Sequence, residues 1–266
     1  MKKNKTIPIK TVVYQNELTD DFVKVNKQPP KIDENYKYYH KNIFWKIARF
    51  ITYRCIAMPI GYFLLKIGFK HKIKNKKVLK QLKNTGYFLY ANHTQEIADA
   101  FIPTFATFPK GVYVIIHPNN LCLPGLGKFL PLLGGLPLPD TLGAMRNFKD
   151  AINKHIKNKK CITIYPEAHV WNYYTGIRNF PSTSFRYPVE LNVPSYAMTT
   201  TYQQTKPNKK PKVITYLDGP FYPNQSLTTK EQIEDLRNQV YLAMLNRSKL
   251  SNCEYIKYVK GEKTND

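Results

Sequence analysis

From residue 85 onward the chain alternates short apolar runs with helical patterns. The runs at 87–91, 112–116, 161–165, 196–202 and 213–217 have strand length and are rich in β-branched and aromatic residues. Between the second and third, Phe148, Ala151, Ile152 and Ile156 recur at helical spacing. Near the end, Thr228 and Glu231 form a capping-box pair ahead of Ile233, Leu236, Val240, Met244 and Leu245, which share one helix face. Strands alternating with helices predict an α/β fold built on a largely parallel sheet, in a domain spanning 71–266.

The preceding segments carry other patterns. Residues 1–40 are polar and basic, contain Pro29-Pro30 and show little periodicity, so they read as an extended basic arm. Residues 41–70 are apolar, aromatic and helical in character. Their charge-free stretch, 55–65, is roughly half of the ~20 residues a spanning helix needs, and Pro59 predicts a kink. Two readings stay open: a helix lying in a membrane interface, its Lys and Arg reaching headgroups, or an amphipathic helix packed on the domain. The basic run 71–77 adds electrostatic weight to the first. The apolar stretch 121–139, with Lys128 as its lone cation, either lines a pocket, meets lipid or forms a buried loop.

Charge sharpens the choice of partner. Across 266 residues, 41 Lys and Arg face 18 Asp and Glu, a net charge of +23. Such an excess attracts lipid headgroups, nucleic acid or an acidic carrier protein, although a general richness in Lys, Asn, Ile and Tyr contributes to it. No RNA- or DNA-binding motif accompanies the charge, so nucleic acid is not an expected partner. The four cysteines lie far apart without metal-ligand spacing and suit a reducing compartment. No secretory signal follows the Lys-rich start, which predicts a cytoplasmic location. No Gly-rich phosphate loop, zinc pattern or repeat appears, and neither a metal nor a cofactor is expected.

Candidate chemistry gathers at two predicted strand ends, where α/β proteins bind ligands. Asn92, His93 and Asp99 follow the first run; Tyr165, Pro166, Glu167, Ala168 and His169 follow the third. A neutral imidazole takes a proton from an attacking alcohol, and a carboxylate on its other nitrogen fixes the tautomer and stabilises the imidazolium. No nucleophile elbow accompanies the pair, so direct transfer of an already activated acyl group fits it. A strand-end histidine with a purely structural role is the plain alternative.

These segments, in this order over 87–220, resemble the glycerolipid acyltransferase family, best known for 1-acylglycerol-3-phosphate acyltransferases. The shared features are Asn92-His93 with a nearby acid, Pro166-Glu167 at a strand end, and Val193-Pro194 before a further strand. The resemblance implies that His93 is the general base and Asp99 its orienting partner. The family places four residues between the two, whereas five intervene here, and Glu96 is a competing partner. The family's Phe-Pro-Glu-Gly-Thr-Arg block binds the acceptor. Here Glu167 would meet an acceptor hydroxyl or orient a cation, and His169 would stand where the family's arginine contacts an anionic headgroup. Arg146 is the nearest substitute for the arginine that binds the acceptor phosphate. Trp171, Tyr173, Tyr174, Arg178, Arg186 and Tyr187 could line an acceptor site or simply pack.

The expected protein is an acyltransferase domain preceded by amphipathic, membrane-interface helices, peripheral or monotopic on the cytoplasmic face of the cell membrane. Its donor would be acyl-CoA, acyl carrier protein or acyl phosphate. Its acceptor would be a lysophospholipid such as 1-acylglycerol-3-phosphate, and its surface partner anionic membrane lipid. The alternatives are a non-catalytic basic protein binding membrane or nucleic acid, and a lipid esterase on the same site.

Overall fold

A computed structural model describes residues 8–22, 28–80, 83–206 and 209–261. Expectations for 1–7 and 23–27 of the arm, and for 81–82, 207–208 and 262–266 of the domain, lie outside the described residues. The strands are β1 (Lys10–Tyr14), β2 (Lys72–Lys74), β3 (Tyr87–Ala91), β4 (Val112–Ile116), β5 (Gly135–Pro137), β6 (Cys161–Ile164), β7 (Ser195–Gln203), β8 (Lys212–Phe221) and β9 (Ile256–Lys260). Seven of them form one sheet in the order β2-β8-β7-β3-β6-β4-β5. Every neighbouring pair is parallel except β7 and β8, so the sheet is largely parallel.

Burial on both faces explains why the central strands read as unbroken apolar runs. Every residue of β3 and β6 is buried. Alternation along β3 divides the core: Phe88 and Tyr90 face one layer, while Tyr87, Leu89 and Ala91 face the other. The first layer takes Phe148 and Ile152 from the helix Leu142–Lys157, and Leu236, Val240 and Met244 from the helix Thr229–Ser248. Each such side chain, fully buried, contributes about 1.5–3 kcal/mol. Both helices start on side-chain caps: Thr141 Oγ1 accepts the Ala144 N–H, and Thr228 and Glu231 form the expected capping box.

The second layer takes Leu79, Ala98, Ile102 and Ala106, and Leu65 from one continuous helix, Ile43–Gly68, which is long and apolar enough to cross a membrane by length and composition alone. Pro59 does not break it. Residues Ile51–Ala57 widen to i→i+5 bonding just ahead of the proline, giving room for the ring and the missing N–H. One face of the helix docks through Tyr53, whose hydroxyl lies 2.5 Å from Thr104 Oγ1, through Gly61 against the Phe101 ring, and through Leu65. The other face exposes Phe44, Phe50, Ile60, Phe63 and Ile67.

Four strands fall outside the predicted runs. In β2 only Ile73 is apolar, and the flanking Lys72 and Lys74 are exposed on an edge strand that lysine protects from mispairing. Part of the basic run 71–77 is therefore sheet edge. β5 sits within the 121–139 stretch, which otherwise forms short helical turns before the strand and irregular chain after it, leaving Leu126, Phe129 and Leu138 exposed. β1 and β9 pair in a separate two-stranded parallel sheet. The arm is tied into the fold: Ile32 and Tyr38 enter the main core, and Tyr14 and Phe22 pack on Trp171.

Candidate active site

Asn92 ends β3 by turning its amide onto β7: Nδ2 donates to Thr200 O at 3.0 Å, and Oδ1 accepts the Thr200 N–H at 2.8 Å. This pair extends the sheet by one step through a side chain and leaves His93 at the carboxyl edge. The following loop is wound round one carboxylate oxygen. Asp99 Oδ2 accepts the N–H groups of Thr94 and Gln95 at 3.0 and 2.9 Å, and His93 Nδ1 lies 2.9 Å from the same oxygen. A carboxylate only accepts, so this contact puts a proton on Nδ1, and in the neutral imidazole Nε2 then carries the lone pair.

The five intervening residues fit because the chain from His93 to Ile97 is not helical; Asp99 reaches back from the short turn Ala98–Ala100. Asp99 is 2 % exposed and meets Nδ1, while Glu96 is exposed and its N–H donates to Asn172 Oδ1.

The loop is held from three further sides. The Tyr165 ring stacks on His93 with centroids 4.4 Å apart, and its hydroxyl donates to Asp99 O at 2.6 Å. Burial holds that phenol well above its ordinary range, so it serves as a neutral donor. The hydroxyl of buried Tyr202 donates to Thr94 O and lies 2.7 Å from Thr94 Oγ1, and Gln95 Nε2 donates to it. Main-chain bonds from Trp171 N–H to His93 O and from Tyr173 N–H to Thr94 O complete the frame.

The sequence offers Glu167 either an acceptor hydroxyl or a nearby cation; in the structure both its oxygens bond the protein, and the cation is Arg178. Oε2 accepts the His93 N–H at 3.0 Å and Arg178 Nη2 at 3.2 Å, and Oε1 accepts the Arg178 N–H at 3.0 Å. Neither side chain of this ion pair reaches solvent. Burial pushes the Glu167 carboxyl up, opposed by Arg178 and by the two N–H donors. Arg178 also donates to His169 O and lies over the Trp171 ring, 4.7 Å from its centroid.

The remaining candidates do not converge on His93. Asn92 is committed to Thr200. His169 is part-exposed, with Nδ1 3.1 Å from Asp21 Oδ2 of the amino-terminal segment. Arg146 lies on the exposed face of the helix Leu142–Lys157. Trp171 is fully buried and Tyr187 belongs to the main core, so these two act as packing, while fully buried Arg178 is the ion-pair partner of Glu167. Sequence reasoning missed Tyr165 as the wall of the site, and Gln95 and Tyr202 as its supports. Only the neighbourhood of Tyr165 to Pro166-Glu167 signalled it. Among the described residues, no three His, Cys, Asp or Glu side chains gather to hold a metal ion.

The architecture has a known counterpart. A crystal structure of the 1-acyl-sn-glycerophosphate (LPA) acyltransferase PlsC from Thermotoga maritima superposes with a TM-score of 0.51, covering 78% of this chain and 88% of that one. Identity is 16%. The two share a fold. No family model matches the sequence, and no curated protein matches it. The likeness is one of architecture, a mixed α/β fold on a mainly parallel sheet.

Proposed function

We propose that the protein is a membrane-associated O-acyltransferase that moves a fatty acyl group from an activated donor to a hydroxyl of a lysophospholipid. The observation that carries this reading is the His93–Asp99 contact, which turns the Nδ1 proton to the carboxylate and, in the neutral ring, makes Nε2 the acceptor at the carboxyl edge of the sheet. Nε2 takes the acceptor's hydroxyl proton as that oxygen attacks the acyl carbonyl. The imidazolium, stabilised by Asp99, returns the proton to the departing thiolate or phosphate as the new ester forms. Tyr165 and Glu167 are positioning residues, one for the ring and one for the backbone. Exposed Ile97 in the same loop, and the apolar outer face of the helix Ile43–Gly68, offer acyl chains a path from a bilayer. The +23 charge suits both an anionic membrane surface and an acidic donor.

The test incubates purified protein with labelled acyl-CoA or acyl carrier protein and a panel of lysophospholipids, beside H93A. Label should enter an acceptor, and H93A should lower that rate by about 10²-fold or more. Equal turnover by the two proteins ends the catalytic reading. Donor loss without acylated acceptor makes the protein an esterase.

A further inference from the structure

At the sheet edge opposite His93, a cleft of about 1620 Å³ opens between the helix Ile43–Gly68, residues 36–40, residues 75–80 and the amino ends of β3, β4 and β6. Tyr87, which opens β3, lines it; at about 3.3 Å per strand residue, it stands roughly 20 Å from His93. The cleft is therefore separate from the proposed reacting centre. Eleven of its lining residues are Lys or Arg, and none of the described ones is Asp or Glu.

Arg49, Arg54, Lys76 and Lys110 are held by carbonyl oxygens that leave their charge uncompensated. Arg54 Nη2 donates to Pro109 O at 2.7 Å, and Arg49 Nη2 to Val112 O at 3.1 Å. Lys110 Nζ donates to the carbonyls of Lys83, Thr85 and Lys159 at 3.1, 3.0 and 2.8 Å. Carbonyl oxygens orient an ammonium or guanidinium without neutralising it. Burial and like charges hold Lys76 and Lys160 below their ordinary range, with Lys80 acting on Lys76, and Arg49 and Arg54 on Lys160.

Two polar atoms in the cleft wall lack partners. Arg49 Nε is buried without a hydrogen bond, and so is Nε2 of His155, a residue 4 % exposed. Around them stand aromatic faces: Tyr113 stacks on His155 at 3.6 Å and lies 4.3 Å from Arg49. Cations lining one part-apolar cleft, with no described acid among them, match a polyanion; guanidinium forks and ammonium points are the groups that bind phosphate oxygens.

We propose that this cleft binds a phosphorylated ligand carrying two or more negative charges, with Arg49, Arg54, Lys76, Lys80 and Lys160 supplying the positive field. The phosphate belongs either to an acidic lipid headgroup or to a soluble phosphate compound. Ile43, Phe44, Ile47 and Phe50 are exposed on the helix that walls the cleft, where acyl chains would lie if the source is lipid.

Lysine footprinting of the full-length wild-type protein tests this without any change of sequence. An amine-reactive reagent is applied alone, with pyrophosphate, with phosphatidylcholine vesicles, and with such vesicles containing phosphatidate. Lys76, Lys80 and Lys160 should be protected severalfold more than Lys230 and Lys257. Protection by pyrophosphate identifies free phosphate recognition; protection only by phosphatidate vesicles identifies a headgroup. In parallel, K76Q/K160Q should bind the protecting ligand about tenfold more weakly, with K230Q/K257Q near wild type. The proposal is overturned if no ligand protects the cleft lysines beyond the controls, if plain phosphatidylcholine protects as well as phosphatidate, or if both double variants lose affinity equally.

Discussion

Glu167 Oε2 accepts the backbone N–H of His93 at 3.0 Å, so the carboxylate beyond β6 fixes the main chain of the histidine beyond β3. The two strand-end clusters are one structure in which the second holds the first. Asp99 then sets the imidazole ring and Tyr165 walls it. The geometry of His93 thus depends on a buried ion pair whose other member, Arg178, lies in the loop behind it.

Glu167→Gln keeps the side-chain shape and removes the charge that compensates Arg178. Breaking a buried pair from one side costs about 3–5 kcal/mol, because the surviving charge stays desolvated. Urea unfolding of E167Q should show a loss of that order, and turnover should fall as the His93 backbone loosens. E167Q/R178M should recover part of the stability, since it leaves no buried charge unpaired. A single variant as stable as wild type removes the pair from this role.

Asp99 and Glu96 are separated by their effects on turnover. On the proposed mechanism, Asp99→Asn should lower kcat by about 10²–10⁴, because His93 would lose the group that orients it and stabilises its cation. Glu96 is exposed, and Glu96→Gln should stay within a factor of about two. Equal losses in both variants would assign the orienting role to neither carboxylate alone.

The sequence made some of this architecture legible and hid the rest for physical reasons. β3 and β6 stood out because burial on both faces demands near-continuous apolar residues, and β4, β7 and β8 through their β-branched and aromatic residues. β2 did not, because Lys72-Ile73-Lys74 is an edge strand whose function is to look polar. The residue types at His93 and Asp99 were legible, but the path between them was not. Main-chain donors at Thr94 and Gln95 shape that loop, and no side-chain pattern reports them. Arg178 marks the same boundary: a charged residue reads as surface or ligand site until its partner, Glu167, is seen to share its burial.

Acid should destabilise the fold through two buried histidines. Burial pushes His71 down to about 4 and His155 down to about 3; Lys66 adds to the first shift, and Arg49 and Lys160 to the second. In the unfolded chain both titrate near 6.5. Between that value and about 4 the unfolded chain binds protons that the folded chain refuses. Stability therefore rises with pH across this window and is lost as pH falls. Each histidine contributes a slope of about 1.4 kcal/mol per pH unit. His155→Phe keeps a ring against Tyr113 and should lower the slope near pH 5 by that amount, read from denaturant unfolding at several pH values. An unchanged slope means that His155 does not enter the fold neutral.

The outer face of the helix Ile43–Gly68 decides the membrane reading. Phe44 and Phe63 are 77% and 60% exposed, while Tyr53 and Leu65 on the opposite face are buried. If the outer face enters a bilayer, each phenylalanine contributes about 1.5–3 kcal/mol of transfer free energy. Phe44→Glu and Phe63→Glu should then each weaken flotation with neutral phosphatidylcholine vesicles by about tenfold or more, at salt high enough to screen the +23 charge. Unfolding free energies should stay within about 0.5 kcal/mol of wild type, because neither side chain supports the core. Lost flotation with unchanged stability places the helix in lipid. Unchanged flotation means that the exposed row meets some other surface, and the acyl-chain path drawn from it fails with the membrane reading.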